Sequence, residues 1–303
     1  NGMVGSAIIR NLESRGYHNF VFSPYPAYDL INQETVQSFF GKEKPEYVID
    51  AAARVGGIAA NDTYRAQFIY ENMMIQNNLI HSSHVSGVKK MLFLGSSCIY
   101  PRECSQPIKE EYLLTGLLEQ TNEPYAIAKI SGIKMCENYY RQYGSNFLSV
   151  MPTNLYGPGD SFDAENSHVI PALIQKFHLA KINNMSTVKV WGSGRPFREF
   201  LYVDDMADAC VHVMLNLDAE KLYSRGITHL NIGCGADQSI AELVEVVRQV
   251  IGYDGSIVYD STKPDGTPRK LLDVSRLSDL GWNATTSLTD GLEKAYEWYL
   301  TNL

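Results

Sequence analysis

Short apolar runs and amphipathic stretches take turns along the first half of this chain, and that alternation restricts the fold more than any other feature. Phe20-Val21-Phe22, Tyr47-Val48-Ile49-Asp50-Ala51, Met91-Leu92-Phe93-Leu94-Gly95 and Phe147–Met151 read as strands. Between them lie helical patterns: one running to Arg15-Gly16, one around Glu34–Phe40, and long ones over Tyr64–Val85 and Tyr125–Tyr143. Strands with so little polar alternation are buried on both faces, which suits a parallel sheet covered by helices on each side. The expected class is α/β, a doubly wound parallel sheet with ligands at the carboxyl ends of its strands.

The chain opens on Gly2-Met3-Val4-Gly5 at the start of its first helix. Two glycines so spaced are half of a dinucleotide fingerprint, in which a pyrophosphate rests on the N–H groups of the first turn. That makes the sheet Rossmann-like, and implies that a first strand with its own glycine is missing ahead of residue 1. After about residue 158 the rhythm loosens: a helix from His168, the run Val188–Gly192, a strand Phe200–Val203, a helix Asp204–Leu217, a strand Leu230–Gly233 and a helix Ile240–Ile251. A basic loop, residues 263–270, and two short helices close the chain. The expected organisation is a cofactor domain over 1–158 and a smaller α/β substrate lobe over 159–303, with segments near 200–235 returning to the first domain.

Composition narrows the partners. A formal charge of −8 on 303 residues argues against a nucleic-acid or anionic-membrane surface. No apolar run approaches the ~20 residues of a spanning helix. Five cysteines without a Cys-x-x-Cys pair suggest a reducing compartment, no disulfide framework and no metal site. With no secretory leader in view, the expected location is cytoplasmic.

The chemistry concentrates at Asn122-Glu123-Pro124-Tyr125-Ala126-Ile127-Ala128-Lys129. Pro124 suits a first helical turn, and Tyr125 and Lys129 then share one helix face. An ammonium beside a phenol should draw its pKa down from ~10, so that it can exchange a proton with a carbonyl oxygen. Upstream, the strand ending at Gly95 runs into Ser96-Ser97-Cys98-Ile99-Tyr100, which sets a hydroxyl at a strand's carboxyl end. Ser96 can then hold the same oxygen from a second side.

These pieces, with Ala53–Ile58, Gly95–Pro101, Asn122–Lys129, Pro152–Pro158, Asn166–Pro171, Trp191–Gly194, Arg198–Phe200 and Pro264–Lys270 in order, resemble the extended short-chain dehydrogenase/reductase superfamily that acts on nucleotide sugars. The resemblance implies an NADP(H)-dependent enzyme that epimerises C3 and C5 of GDP-4-keto-6-deoxy-D-mannose and reduces its C4 ketone. It implies a reductase triad of Ser96, Tyr125 and Lys129, and an epimerisation acid/base pair of Cys98 and His168. Gly2, Met3, Val4, Gly5, Leu94, Gly95, Ser96, Ser97, Lys129, Pro152, Thr153, Asn154, Leu155 and His168 would line the cofactor. Lys176, Trp191, Arg198, Asp265 and Lys270 would meet the nucleotide sugar. It further implies a homodimer joined through the two long helices.

The chemistry agrees. Protons at C3 and C5 are acidified by the C4 carbonyl, and inversion needs a base on one face and an acid on the other. A thiol and an imidazole suit that pairing near neutrality, with Lys129 placed to lower the thiol's pKa further. Which of Cys98 and His168 is base and which acid stays open, since a helix N-terminus disfavours imidazolium. Taken singly, Cys98 also reads as a small buried hydrophobe, Trp191 as core, and Lys176, Arg198 and Lys270 as a solvated rim. Related 4-epimerases, 4,6-dehydratases and reductases are the alternatives. A dehydratase would carry an Asp-Glu pair where this chain has Ser97 and Cys98. After the second strand, residues 22–28 hold no Arg or Lys to meet a 2′-phosphate; Arg54 is the nearest later cation.

Overall fold

The computed structural model describes residues 2–22, 28–163, 167–263 and 265–303. The first half forms α1 (Met3–Ser14), α2 (Gln33–Glu43), β1 (Tyr47–Asp50), α3 (Ile58–Thr63), α4 (Arg65–Val85), β2 (Lys90–Leu94), α5 (Glu123–Tyr143), β3 (Phe147–Pro152) and β4 (Asn154–Tyr156). The second half continues through α6 (Val169–Ile182), β5 (Thr187–Trp191), β6 (Phe197–Tyr202), α7 (Val203–Asn216), α8 (Ala219–Tyr223), β7 (Leu230–Ile232), β8 (Asp237–Ser239), α9 (Ile240–Ile251), β9 (Ser256–Asp260), β10 (Arg269–Lys270), α10 (Ser275–Asp279) and α11 (Leu288–Thr301).

The main sheet runs β1-β2-β3-β7, and every pairing is parallel. Its strands divide their side chains between two cores, as a period of two requires. Leu92, Leu94, Leu148 and Val150 pack with Ala7 and Ile8 of α1 and with Met206, Ala207 and Cys210 of α7. Met91, Phe93, Phe147 and Met151 pack on the other face with Phe39 and Phe40 of α2, Leu79 and Ile80 of α4, and Ile133 and Cys136 of α5. The fold is the doubly wound, Rossmann-like α/β sheet that the alternation called for. A third core gathers α6, α9 and α11 around β5 and β6. There β10-β6-β4 form a parallel ladder, β8 pairs antiparallel with β6, and β5 pairs with β9.

Two local expectations fail. Phe20–Phe22 joins no ladder, and Val21 and Phe22 are 43% and 55% exposed. Three residues cannot offset their ordering entropy without a neighbouring strand's hydrogen bonds, and among the described residues β1 pairs with β2 alone. Near the C-terminus, β9 had not been expected, and α11 is a full helix of 14 residues.

α5 explains the placing of its side chains. It carries Pro124 in its first turn and ends on Gly144 in the left-handed region, at φ 71°. Gly132 lets the helix lie against the sheet: a Cβ there would come within 2.4 Å of Phe93 Cζ. On the far side Gln76 of α4 donates through Nε2 to the Ala128 carbonyl at 2.6 Å. The helix is therefore gripped from both sides within one turn of Lys129.

Candidate active site

The carboxyl end of β2 and the first turns of α5 build the centre of the site. Lys129 is buried, and its Nζ donates to the Leu94 carbonyl at 2.8 Å. The same nitrogen lies 4.8 Å from the Phe93 ring centroid and 5.8 Å from that of Tyr125. Phe68 supports the Tyr125 ring edge-on at 6.3 Å. Ser96 caps the short turn Ser97–Ile99, its Oγ accepting the Cys98 N–H at 3.4 Å. Ser96, Cys98, Tyr125 and Lys129 thus gather at one strand end.

Electrostatics there depart from expectation. Burial pushes the Tyr125 phenol well above its ordinary value, and the charges of Cys98 and Asp50 push the same way. The Cys98 thiol is also raised by burial; Lys270 opposes this first, then the Ser96 hydrogen bond and only then Lys129. For the thiol, enclosure in the protein outweighs the neighbouring ammonium groups; for the phenol, burial leads and the nearby charges add to it. Cys98 and Lys270 line one small cavity of about 50 Å³ with Tyr100, Asn122, Arg102 and Gln106.

The N-terminal turn of α1 offers room for a dinucleotide. Gly2 is its N-cap without a side-chain cap, and a Cβ on Gly2 or Gly5 would meet nothing within 4 Å. Free N–H groups, a helix dipole and open space above the glycines fit a pyrophosphate. Leu94, Gly95 and Ser97 lie at the end of β2, and Pro152, Thr153, Asn154 and Leu155 span the step from β3 to β4. Thr153 and Asn154 both donate to the Glu199 carbonyl, at 3.3 and 2.9 Å. Arg54 is committed elsewhere: it pairs with Glu71 at 2.9 Å and lies over Phe68. Residues 23–27, where a 2′-phosphate cation was sought, lie outside the described residues, as do Asn166 and Pro264 of the family-like segments.

The second lobe supplies the other residues. His168 is the exposed N-cap of α6, outside the cavity that Cys98 lines. Burial raises the carboxyl of the half-buried Asp160, and the charge of His168 opposes that rise. Trp191 is 46% exposed, with Lys176 and Lys263 at 4.6 and 4.9 Å from its ring. Arg198 and Lys270 are register partners across β6 and β10, which sets two cations side by side. Burial lowers both pKa values, a cost that a bound anion would relieve. Asp265 accepts from the Ser193 N–H and hydroxyl, at 2.6 and 2.7 Å, and so closes the turn after Trp191.

Three residues of consequence had not been singled out. Asp50 is buried at the end of β1. Glu199 is fully buried and accepts the N–H groups of Gly235 and Leu272, at 2.7 and 3.0 Å, which ties the Lys270 segment to β6. His229 is fully buried against Tyr100, two residues past Cys98. A carboxylate inside an apolar strand was the one available signal, and it marked Asp50 alone.

Known proteins are similar over nearly the whole chain. The model of the NAD-dependent epimerase/dehydratase family matches residues 1–233. GDP-L-fucose synthase of Escherichia coli K12 is 55% identical over 303 residues, covering 99% of this chain and 94% of that protein. GDP-L-fucose synthase 1 of Arabidopsis thaliana is 56% identical over 302 residues, covering 100% and 91%. The solved structure of a GDP-L-fucose synthetase from Naegleria fowleri bound to NADP superposes with a TM-score of 0.89 at 28% identity, covering 99% of this chain and 92% of that one.

Proposed function

The chain belongs to the NAD-dependent epimerase/dehydratase family, and from that premise we propose that it is an NADP(H)-dependent enzyme converting GDP-4-keto-6-deoxy-D-mannose to GDP-L-fucose. It does so by 3,5-epimerisation followed by 4-keto reduction. The observation that carries this reading is the gathering of Ser96, Cys98, Tyr125 and Lys129 at the end of β2, in a chain 55% identical to a GDP-L-fucose synthase over essentially its full length.

In the proposed mechanism Ser96 and Tyr125 hold the C4 oxygen. Their hydrogen bonds favour the enolate formed when C3 or C5 loses its proton. Cys98 and His168 serve as the acid/base pair from opposite faces, one taking the proton and the other returning it. Lys270, ahead of Lys129, is the leading cation that opposes the upward pull of burial on the Cys98 thiol. NADPH, when bound, supplies the hydride for C4. Tyr125 then gives its proton to the C4 oxygen, the raised pKa keeping that proton available in the resting site. Gly2–Gly5, Leu94–Ser97, Lys129, Pro152–Leu155 and His168 would hold the cofactor. Arg198 and Lys270 would take the sugar's diphosphate, with Lys176, Trp191 and Asp265 beside the nucleotide.

We further assign the cofactor layer to residues 1–158 with returning segments near 200–235, and the substrate lobe to the rest of 159–303. Two copies would pair through α4 and α5, where Tyr70, Val85, Ile127 and Tyr143 are 59%, 69%, 41% and 54% exposed. Five free cysteines suit the cytoplasm. Among the described residues no helix is long and apolar enough to cross a membrane.

The test is direct: incubate the protein with NADPH and GDP-4-keto-6-deoxy-D-mannose, follow cofactor absorbance and identify the product by NMR. Stoichiometric formation of GDP-L-fucose is expected. Absence of NADPH consumption would overturn the reading.

A further inference from the structure

The Tyr125–Lys129 pair leaves one buried carboxylate unaccounted for. Asp50 is 2% exposed at the end of β1. Its Oδ1 accepts the Ala52 N–H at 3.0 Å, whereas Oδ2 is buried and meets no hydrogen-bond partner among the described residues. A carboxylate so enclosed is costly unless a cation neutralises it.

Strand register locates that cation. Asp50 is the β-ladder partner of Phe93, and Lys129 Nζ sits 4.8 Å from the centroid of the same Phe93 ring. Lys129 is 3% exposed, and its hydrogen bond goes to the carbonyl of Leu94, the next residue along β2. Two opposite buried charges thus stand about one phenylalanine, each short of polar partners. Burial pushes the Asp50 carboxyl up to about 6 and pulls the Lys129 ammonium down, and each charge opposes the other's shift. The titratable groups facing the pair are Tyr125 and Cys136 on α5, which feel Asp50, and Cys98 after β2, which feels Lys129.

We propose that Asp50 is a positioning residue for the reduction: its carboxylate keeps Lys129 an ammonium at the strand ends, beside Tyr125, while the ketone is reduced. The inference rests on the ketone-reductase reading above. Asp50 acts through Lys129 and does not itself meet the substrate. The sign follows: a carboxylate raises the pKa of a neighbouring ammonium, so its removal lowers that pKa. A reaction that needs the ammonium then fails at a lower pH than before.

The experiment follows NADPH oxidation with GDP-4-keto-6-deoxy-D-mannose across neutral and alkaline pH for the wild type, Asp50→Asn and Asp50→Glu. In Asp50→Asn the alkaline limb of kcat is expected to move down by at least about one pH unit, the shift typical of losing a buried opposite charge. Asp50→Glu should keep the limb near its wild-type position. A limb that stays in place in Asp50→Asn, with kcat scaled equally at every pH, would overturn the proposal. A second measurement needs no substrate: urea unfolding of Asp50→Asn, Lys129→Met and the double variant. The double variant should lose less stability than the two single losses added together, and should refold if Asp50→Asn alone does not. Strict additivity, or a double variant as unfolded as the single one, would overturn the pair. A wild type that leaves NADPH untouched would overturn the ketone-reductase reading instead, and the unfolding cycle would still decide whether the two charges are coupled.

Discussion

Gly132 rests on Phe93 so closely that a Cβ at that position would fall 2.4 Å from the ring's Cζ. Phe93 is fully buried, so it has nowhere to yield. Gly132→Ala should therefore lift α5 from the sheet and cost about 1–3 kcal/mol, the usual penalty of overpacking a dense core. Urea unfolding gives the loss, and turnover should fall with it because Lys129 rides on the same helix. An alanine variant as stable and active as the parent would show that the contact is slack.

Tyr125→Phe removes one hydroxyl and keeps the ring that Phe68 meets edge-on. Folding and NADPH binding should survive. Turnover should drop by at least about 10²-fold, the usual effect of losing a positioned proton donor. Steady-state rates beside fluorescence titration of NADPH separate the two quantities, and wild-type turnover would remove Tyr125 from the mechanism.

Cys98 lies in the cavity beside Lys270, and His168 caps a helix in the other lobe. Cys98→Ala should stop solvent deuterium entering C3 and C5, while slow reduction of the unepimerised ketone continues to GDP-6-deoxy-mannose or its 4-epimer. His168→Gln should let exchange outrun inversion. Mass and NMR analysis of products made in D2O decides both, and a normal yield of GDP-L-fucose from Cys98→Ala would make that thiol packing.

His229 should make the fold sensitive to acid. Its Nε2 meets the Tyr100 hydroxyl at 2.7 Å and its Nδ1 the Thr228 hydroxyl at 2.8 Å. Burial pulls the imidazole from 6.5 to about 3. Between those values the unfolded chain binds the extra proton, so the contribution is intact above the unfolded value and is lost as pH falls toward the folded one. The limiting slope for one proton is about 1.4 kcal/mol per pH unit. His229→Gln should flatten the acid side of the stability curve by that much, although its stability at neutral pH is lower. Equal slopes from urea unfolding of the two proteins would assign the acid sensitivity elsewhere.

Local geometry is what the sequence carries well. The parallel sheet followed from apolar runs such as Met91–Leu94, and the shared face of Tyr125 and Lys129 from a spacing of four. Phe20–Phe22 was misread because a strand exists only with a neighbour to pair with. β9 was missed because Ser256-Ile257-Val258-Tyr259-Asp260 is a lone three-residue apolar run between polar ends, and its partner β5 lies far back in the sequence. The charge environment lay further out of reach. Lys270 is held on the β10–β6 ladder and shares a cavity with Cys98 only in the assembled fold, and the Asp50–Lys129 relation exists only once β1 and α5 both pack about Phe93. Burial itself, which raises Tyr125 and holds Cys98 up against Lys270 and Lys129, depends on the assembled layers.

The return of β7 to the edge of β3 has a consequence for synthesis. Val150–Pro152 can find their partners Leu230–Ile232 only after residues 153–229 have been made. At ordinary translation rates that interval is about 4–15 s. Until then β3 presents an open hydrogen-bonding edge between Phe147 and Met151, both destined for a core, and α1 waits for α7. The growing chain must be shielded from its own kind over that interval, and a nascent piece ending near residue 158 should be protease-sensitive where one extending past residue 232 is not.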